Sequence, residues 1–392
     1  MSKYLERSKD IQEEIIEIRR HLHENPEVGM NLPNTKKYVL EELKKMGING
    51  EVIGTSGITA TIGNPDKGPV ILLRGDMDAL PMKENSGLEF ASKNENAHTC
   101  GHDMHTAMLL GAAKLLKEDE DKLNGAVKLM FQPGEEILEG AIAMINDGIL
   151  ENPKVDAAIA IHMIPMAPTG TIIYNTGTIS ASSDIFNIKI TGKGGHGAYP
   201  NETIDPINVG VHLHLALQSL IAREVDPSER VVLTIGMFNS GDAENIIPQE
   251  AILGGTLRTF SQETREYMVD RIKSSSKAVA ETFNAKAEYI LKGSTSSMIA
   301  DEHIAKILVK AYDESLPGKV IKMDGVMGGS EDFSEVSVRV PSMLLGLGGG
   351  SIEEGYEYAG HHPKVRYNEE SIPYGITAYV TGALELMENL SK

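Results

Sequence analysis

Val70-Ile71-Leu72-Leu73-Arg74-Gly75-Asp76-Met77-Asp78 is the stretch on which the fold turns. Its first four residues form an unbroken apolar run behind Gly68 and Pro69, and such a run reads as a strand buried on both faces. Residues 126–131 and 155–161 repeat the form. Helical stretches at 104–116 and 141–149 lie between them, so strands and helices alternate as in an α/β layer fold. Each strand runs into ionisable residues: Asp76 and Asp78 after the first, Glu135 and Glu136 after the second, His162 after the third. In open α/β sheets the carboxyl ends of the strands form the ligand crevice, so three strands deliver these groups to one rim.

Upstream, Ile11, Ile15, Ile18 and Leu22 recur at helical spacing until Pro26, and a second helix is expected over 34–46, ending at Gly47. Downstream the rhythm changes at Asp184. A strand (185–190), a helix (206–223), two strands (231–238 and 250–259), a helix (262–283) and a strand (287–291) follow in β-α-β-β-α-β order, which predicts a ferredoxin-like α+β sandwich. After Ser294 the α/β character resumes with a helix at 304–314, a strand near 343–347 and a closing helix at 373–390. Residues 1–183 and 295–392 therefore read as one catalytic α/β domain, a mixed sheet flanked by helices, with residues 184–294 inserted as a second domain.

The chain has 392 residues, enough for two ordinary domains, and 41% apolar with 24% charged residues is a globular composition. A formal net charge of -19, spread along the chain, repels phosphate backbones and anionic lipid, which argues against nucleic-acid and membrane partners. The charged start and the lack of a long apolar stretch point to the cytoplasm. One cysteine, Cys100, rules out an intrachain disulfide and fits a reducing compartment.

That cysteine stands in His98-Thr99-Cys100-Gly101-His102-Asp103-Met104-His105, three histidines, a thiol and a carboxylate just before a helix. In an extended segment Cys100 and His102 point to the same side, as two ligands of one metal site would. The adjacent pair Glu135-Glu136 offers one carboxylate as a ligand and another to take a proton from bound water. Taken alone, a Glu-Glu pair is usually a solvated loop, His162 a satisfied core residue and His361-His362-Pro363 plain surface. All three change meaning if these loops meet at one rim. The run Gly346-Leu347-Gly348-Gly349-Gly350 lacks the following Lys-Ser/Thr of a nucleotide loop and reads as a tight turn. A cysteine nucleophile activated by His102 is the other enzymatic reading, and it leaves Glu135, Glu136, His162 and His361 unemployed.

Along its whole length the chain resembles the M20 metallopeptidases, in particular the amidohydrolase branch of hippurate hydrolases, N-acyl-amino-acid deacylases and auxin-conjugate hydrolases. The resemblance rests on His21-Leu22-His23-Glu24-Asn25-Pro26-Glu27, Gly75-Asp76-Met77-Asp78-Ala79-Leu80-Pro81, the segment His98 to His105, Gly134-Glu135-Glu136, Gly194-Gly195-His196-Gly197-Ala198-Tyr199-Pro200, Asn245-Ile246-Ile247-Pro248, Gly329-Ser330-Glu331-Asp332-Phe333 and His361-His362-Pro363. It implies two divalent ions, zinc, manganese, cobalt or nickel, held by Cys100, His102, Glu136, His162 and His361, with Glu135 as general base and Asp78 as an orienting group. Many relatives carry a ligand histidine where this chain has Asp76, and a bridging aspartate where it has Cys100. The resemblance further implies that the inserted domain is a lid that pairs subunits into a homodimer or higher oligomer. His196 would then stabilise the oxyanion in the neighbouring subunit, while Asn245 and Arg258 bind the substrate carboxylate. The expected reaction is hydrolysis of the amide bond of small N-acyl amino acids. A dipeptidase or aminopeptidase of the same family and a non-catalytic metal-binding protein are the alternatives.

Overall fold

The computed structural model describes residues 3–326 and 329–391. The chain folds into two compact units, one of Met1–Ile179, Ile299–Gly325 and Asp332–Lys392, the other of Ser180–Met298 and Val326–Glu331. No helix among the described residues is long and apolar enough to cross a membrane.

The first unit is built on an eight-stranded mixed sheet in the order Glu51–Ile53, Gly57–Gly63, Ala126–Gln132, Val70–Asp76, Ala157–Met166, Ser342–Ser351, Ile172–Tyr174, Val320–Lys322. The four central strands run parallel to one another. Every residue of Val70–Asp76 and Ala126–Gln132 is buried, which is why their sequences do not alternate. Helix His102–Glu118 packs on Val70–Asp76 and against helices Gln12–Glu24 and Ile372–Leu390, with nearly all of its length buried. An all-round apolar helix such as Ala107–Ala113 belongs in that interior position.

The structure corrects two sequence expectations. The third strand does not stop before His162 but continues to Met166, so His162 lies inside it. The glycine-rich run is not a tight turn: it is the second half of the ten-residue strand Ser342–Ser351. Glycine is required there by close approach, since a Cβ at Gly348 would come within 2.0 Å of the Pro168 carbonyl oxygen. Strands Glu51–Ile53 and Gly57–Gly63, on one side of the sheet, escaped the sequence reading: the first has three residues, and the second interleaves threonine and glycine with its apolar residues.

The second unit is the expected ferredoxin-like sandwich. Its antiparallel sheet runs Val231–Ser240, Glu250–Thr259, Ser183–Thr191, Lys286–Thr295. Helices Pro206–Glu224 and Gln262–Thr282 pack on this sheet. Asp205 and Ser261 cap their N-termini, accepting hydrogen bonds from Ile207, Asn208 and Thr264 N–H groups. Phe186, Ile188 and Ile190 point alternately inward from the central strand to meet Leu213, Leu217, Met268 and Ile272.

Candidate metal centre

Parallel register sets the floor of the site. Asp76 lies opposite Gln132 and Arg74 opposite Ala160, so two residues further on His162 comes level with Asp76. Past Gln132 the chain turns through Pro133-Gly134 to present Glu135 and Glu136. The loop ahead of helix His102–Glu118 passes against the Ala157–Met166 strand, and Gly101 makes this possible. Its φ is +90° and a Cβ would come within 2.9 Å of the Met163 side chain. Cys100 and His102 are thereby delivered to the same rim from the opposite side.

The five residues named above converge. Cys100 Sγ lies 3.5 Å from His162 Nε2 and 3.3 Å from His361 Nε2, and His361 Nε2 lies 3.4 Å from Glu136 Oε1. His102 Nε2 is 3.9 Å from Glu136 Oε1 and 3.8 Å from Glu135 Oε2. Metal–ligand bonds of about 2.0–2.3 Å put tetrahedral ligand atoms roughly 3.3–3.8 Å apart, which matches most of these spacings. Of the five donor triads among the described residues, two share the cysteine, Cys100 with His102 and His162, and Cys100 with Glu136 and His361; the others are Asp76 with His102 and His105, His102 with Glu135 and Glu136, and Glu135 with Glu331 and Asp332.

Imidazole orientation supports the same reading. His102 Nδ1–H donates to the Asp78 carbonyl oxygen at 2.9 Å, and His162 Nδ1–H donates to the Met163 carbonyl oxygen at 2.9 Å. Each ring therefore turns its Nε2 lone pair toward the cluster. His102 Nε2 and Glu136 Oε1 are buried without a hydrogen-bond partner. Leaving such atoms unsatisfied costs on the order of 1–3 kcal/mol each, and a divalent cation satisfies both, so the residues present fit bound metal. His361 takes φ 65°, an uncommon value outside glycine, and its N–H is tied to the Thr99 carbonyl oxygen at 3.0 Å. His362 turns away, stacking on Tyr358 with ring centroids 4.5 Å apart.

Asp78 acts as a clamp. Its Oδ1 accepts the Glu135 N–H at 3.0 Å and its Oδ2 the Glu136 N–H at 3.1 Å, while its own carbonyl orients His102. The two glutamates are therefore fixed by the backbone that carries them. Burial opposes charge on His102, but the Asp76 carboxylate and Cys100 outweigh it and raise its pKa well above the usual histidine range, so a proton and a metal ion compete for Nε2. Burial pushes the Cys100 thiol up, so a strong local positive charge such as a divalent cation would be needed to hold it as a thiolate.

The other two histidines of the cluster are placed differently. His98 is buried, and burial pushes its imidazole down to about 4. His105 has both ring nitrogens engaged, with Asp76 and with the Met163 N–H. His196, Asn245 and Arg258 belong to the second unit. There His196 pairs with Ile246, and the Asn245 carbonyl accepts the Gly197 N–H at 2.9 Å. Arg258 donates to Ser330 Oγ at 3.0 Å.

Thiol, imidazole and carboxylate donors, half-buried apart from the buried His102 and the exposed His361, gather at the carboxyl rim of the parallel strands, and such a donor set has the chemistry of a divalent-metal centre of hydrolytic type. The model of peptidase family M20/M25/M40 matches residues 72–385, and the chain belongs to the M20 family. It is 35% identical over 364 residues to an N-acetyl-L-cysteine deacetylase of Bacillus subtilis, covering 92% of this chain and 85% of that protein. It is 36% identical over 395 residues to IAA-amino acid hydrolase ILR1-like 2 of Arabidopsis thaliana, covering 98% and 88%. Among solved structures, a Bacillus subtilis protein described as a dinuclear metal-binding peptidase of the M20 family superposes with a TM-score of 0.81 at 30% identity, covering 97% of this chain and 99% of that one. Family membership, this neighbour and the donor clusters together support divalent-metal binding.

Proposed function

We propose that this protein is a metal-dependent amidohydrolase that cleaves N-acyl amino acids, such as N-acetyl or benzoyl derivatives, to a carboxylic acid and a free amino acid. The observation that carries the reading is Glu135, held by Asp78 beside the donor clusters, with its Oε2 3.8 Å from His102 Nε2. Cys100, His102 and His162 would hold one ion, and Cys100, Glu136 and His361 the other. Zinc, manganese, cobalt or nickel bound there would acidify a water toward neutrality and polarise the amide carbonyl. Glu135 takes the proton of the attacking water and hands it to the leaving amine. Asp78 keeps Glu135 and Glu136 in register during both transfers.

His196 accepts the Ala198 N–H on Nδ1 at 3.1 Å, so its Nε2 carries the hydrogen and is a donor. In the proposed homodimer, joined through the second unit, that donor stabilises the oxyanion while Asn245 and Arg258 hold the substrate carboxylate. The single cysteine, committed to the metal centre, suits a cytoplasmic enzyme.

Hydrolysis of N-acetyl-methionine or hippurate, abolished by a chelator and restored by divalent metal, tests the activity. In the Glu135→Gln variant the rate should fall roughly 100- to 10,000-fold with metal content unchanged. Full activity of that variant with both ions bound refutes the role of Glu135.

A further inference from the structure

We infer that His105, which contributes no donor to either of the two triads that contain Cys100, is the positioning residue that aims His162. The inference rests on the proposed ligand role of His162. Asp76 Oδ1 accepts from His105 Nδ1–H at 2.5 Å, which fixes the proton on Nδ1 and leaves Nε2 as an acceptor. That acceptor takes the backbone N–H of Met163 at 2.7 Å. Met163 is also the residue whose carbonyl receives His162 Nδ1–H at 2.9 Å. His105 thus grips one end of Met163 while His162 is oriented by the other, and the two rings meet edge to face with centroids 4.8 Å apart. The arrangement converts a carboxylate on one strand into the ring angle of a ligand on the next.

The far end of this relay is equally anchored. Arg74 holds Asp76 Oδ2 at 2.7 Å and Asp332 Oδ1 at 3.0 Å, and Gln132 Oε1 accepts from Arg74 Nε at 2.9 Å. All of these side chains are buried. Asp76 Oδ2 also lies 3.5 Å from His102 Nε2, close enough to capture that nitrogen. Arg74 and His105 engage the carboxylate from both sides and leave His102 Nε2 for its ligand role. Asp76 is therefore a carboxylate that works through His105.

Two carboxamides separate the parts of His105. His105→Gln puts an acceptor oxygen near the Nε2 position, whereas His105→Asn reproduces only the donor to Asp76. Cobalt titration of the full chain, followed by thiolate-to-cobalt absorption and by equilibrium dialysis, should give two ions for the parent and for His105→Gln. For His105→Asn the ion of the Cys100, His102 and His162 triad should bind roughly 10- to 100-fold more weakly while the other is retained. Two ions at parental affinity in His105→Asn, or equal loss in both variants, overturns the inference. A parent that binds no cobalt instead sinks the metal-centre reading, and this inference with it. If neither variant folds, long-range proton–nitrogen correlation spectra of the parent decide the matter: His105 should be protonated on Nδ1, and protonation on Nε2 refutes the proposal.

Discussion

Asp78 is the residue on which the geometry of the centre places most weight, and Asp78→Asn measures that weight with little change of volume. The carboxylate accepts two backbone N–H groups, from Glu135 at 3.0 Å and Glu136 at 3.1 Å. Hydrogen bonds to a charged group contribute about 1.5–3 kcal/mol each. The asparagine keeps one acceptor and turns an N–H toward the second backbone N–H, so one such bond is lost. The loosened loop must then be ordered again when metal binds. At about 1.4 kcal/mol per factor of ten, the loss corresponds to roughly 10- to 150-fold weaker metal binding. Competition against a chromophoric zinc chelator measures this directly, and the hydrolytic rate at saturating metal should fall as well, because Glu135 moves with the same loop. Unchanged zinc affinity together with an unchanged rate in Asp78→Asn would show that the clamp is not what holds the glutamates.

The shared position of Cys100 makes the two triads unequal to mutation: Cys100→Ala should lose both ions, whereas His361→Ala should lose one, as read by metal content after dialysis. Equal stoichiometry in the two variants would contradict a bridging thiolate. A separate expectation concerns acid. Asp119 is held well below the usual carboxylate range, first by the hydrogen bond from Lys122, against which burial works, and then by Arg7. A depressed folded pKa gives stability that is fully present above the unfolded value of about 4 and is lost as pH falls through the folded one. Protection of helix Lys3–Asp10, whose Lys3 and Arg7 pair with Asp119, should therefore fall below about pH 4 by hydrogen exchange, and salt should reduce the difference. A parent and an Asp119→Asn variant with identical profiles would count against it.

Much of the scaffold was legible because it depends on short-range pattern. The apolar runs at 70–73, 126–131 and 155–161 read as strands covered on both faces, and their polar continuations emerge at one rim once the strands are parallel. The second unit was readable for a related reason: its alternating strands and capped helices carry their signals within a few residues of each boundary. The glycine-rich strand misled the reading because turns and close-packed strands both select glycine, and only the neighbouring Pro168 backbone distinguishes them.

By itself, then, the sequence determined the main helices, the central buried strands and the set of residue types able to bind metal, while several shorter or more polar strands escaped it. Tertiary structure alone decided how each donor is used. His102 and His105 stand on the same helix, three residues apart, yet one turns a free Nε2 to the cluster and the other spends both nitrogens on Asp76 and Met163. Asp78 became a clamp because the segment that follows strand Val70–Asp76 lies beside the loop of Glu135 and Glu136, 57 and 58 positions away. The physical reason is that a tautomer, and the direction of a lone pair, are set by the partner across space, and no local pattern of residues encodes where that partner will be.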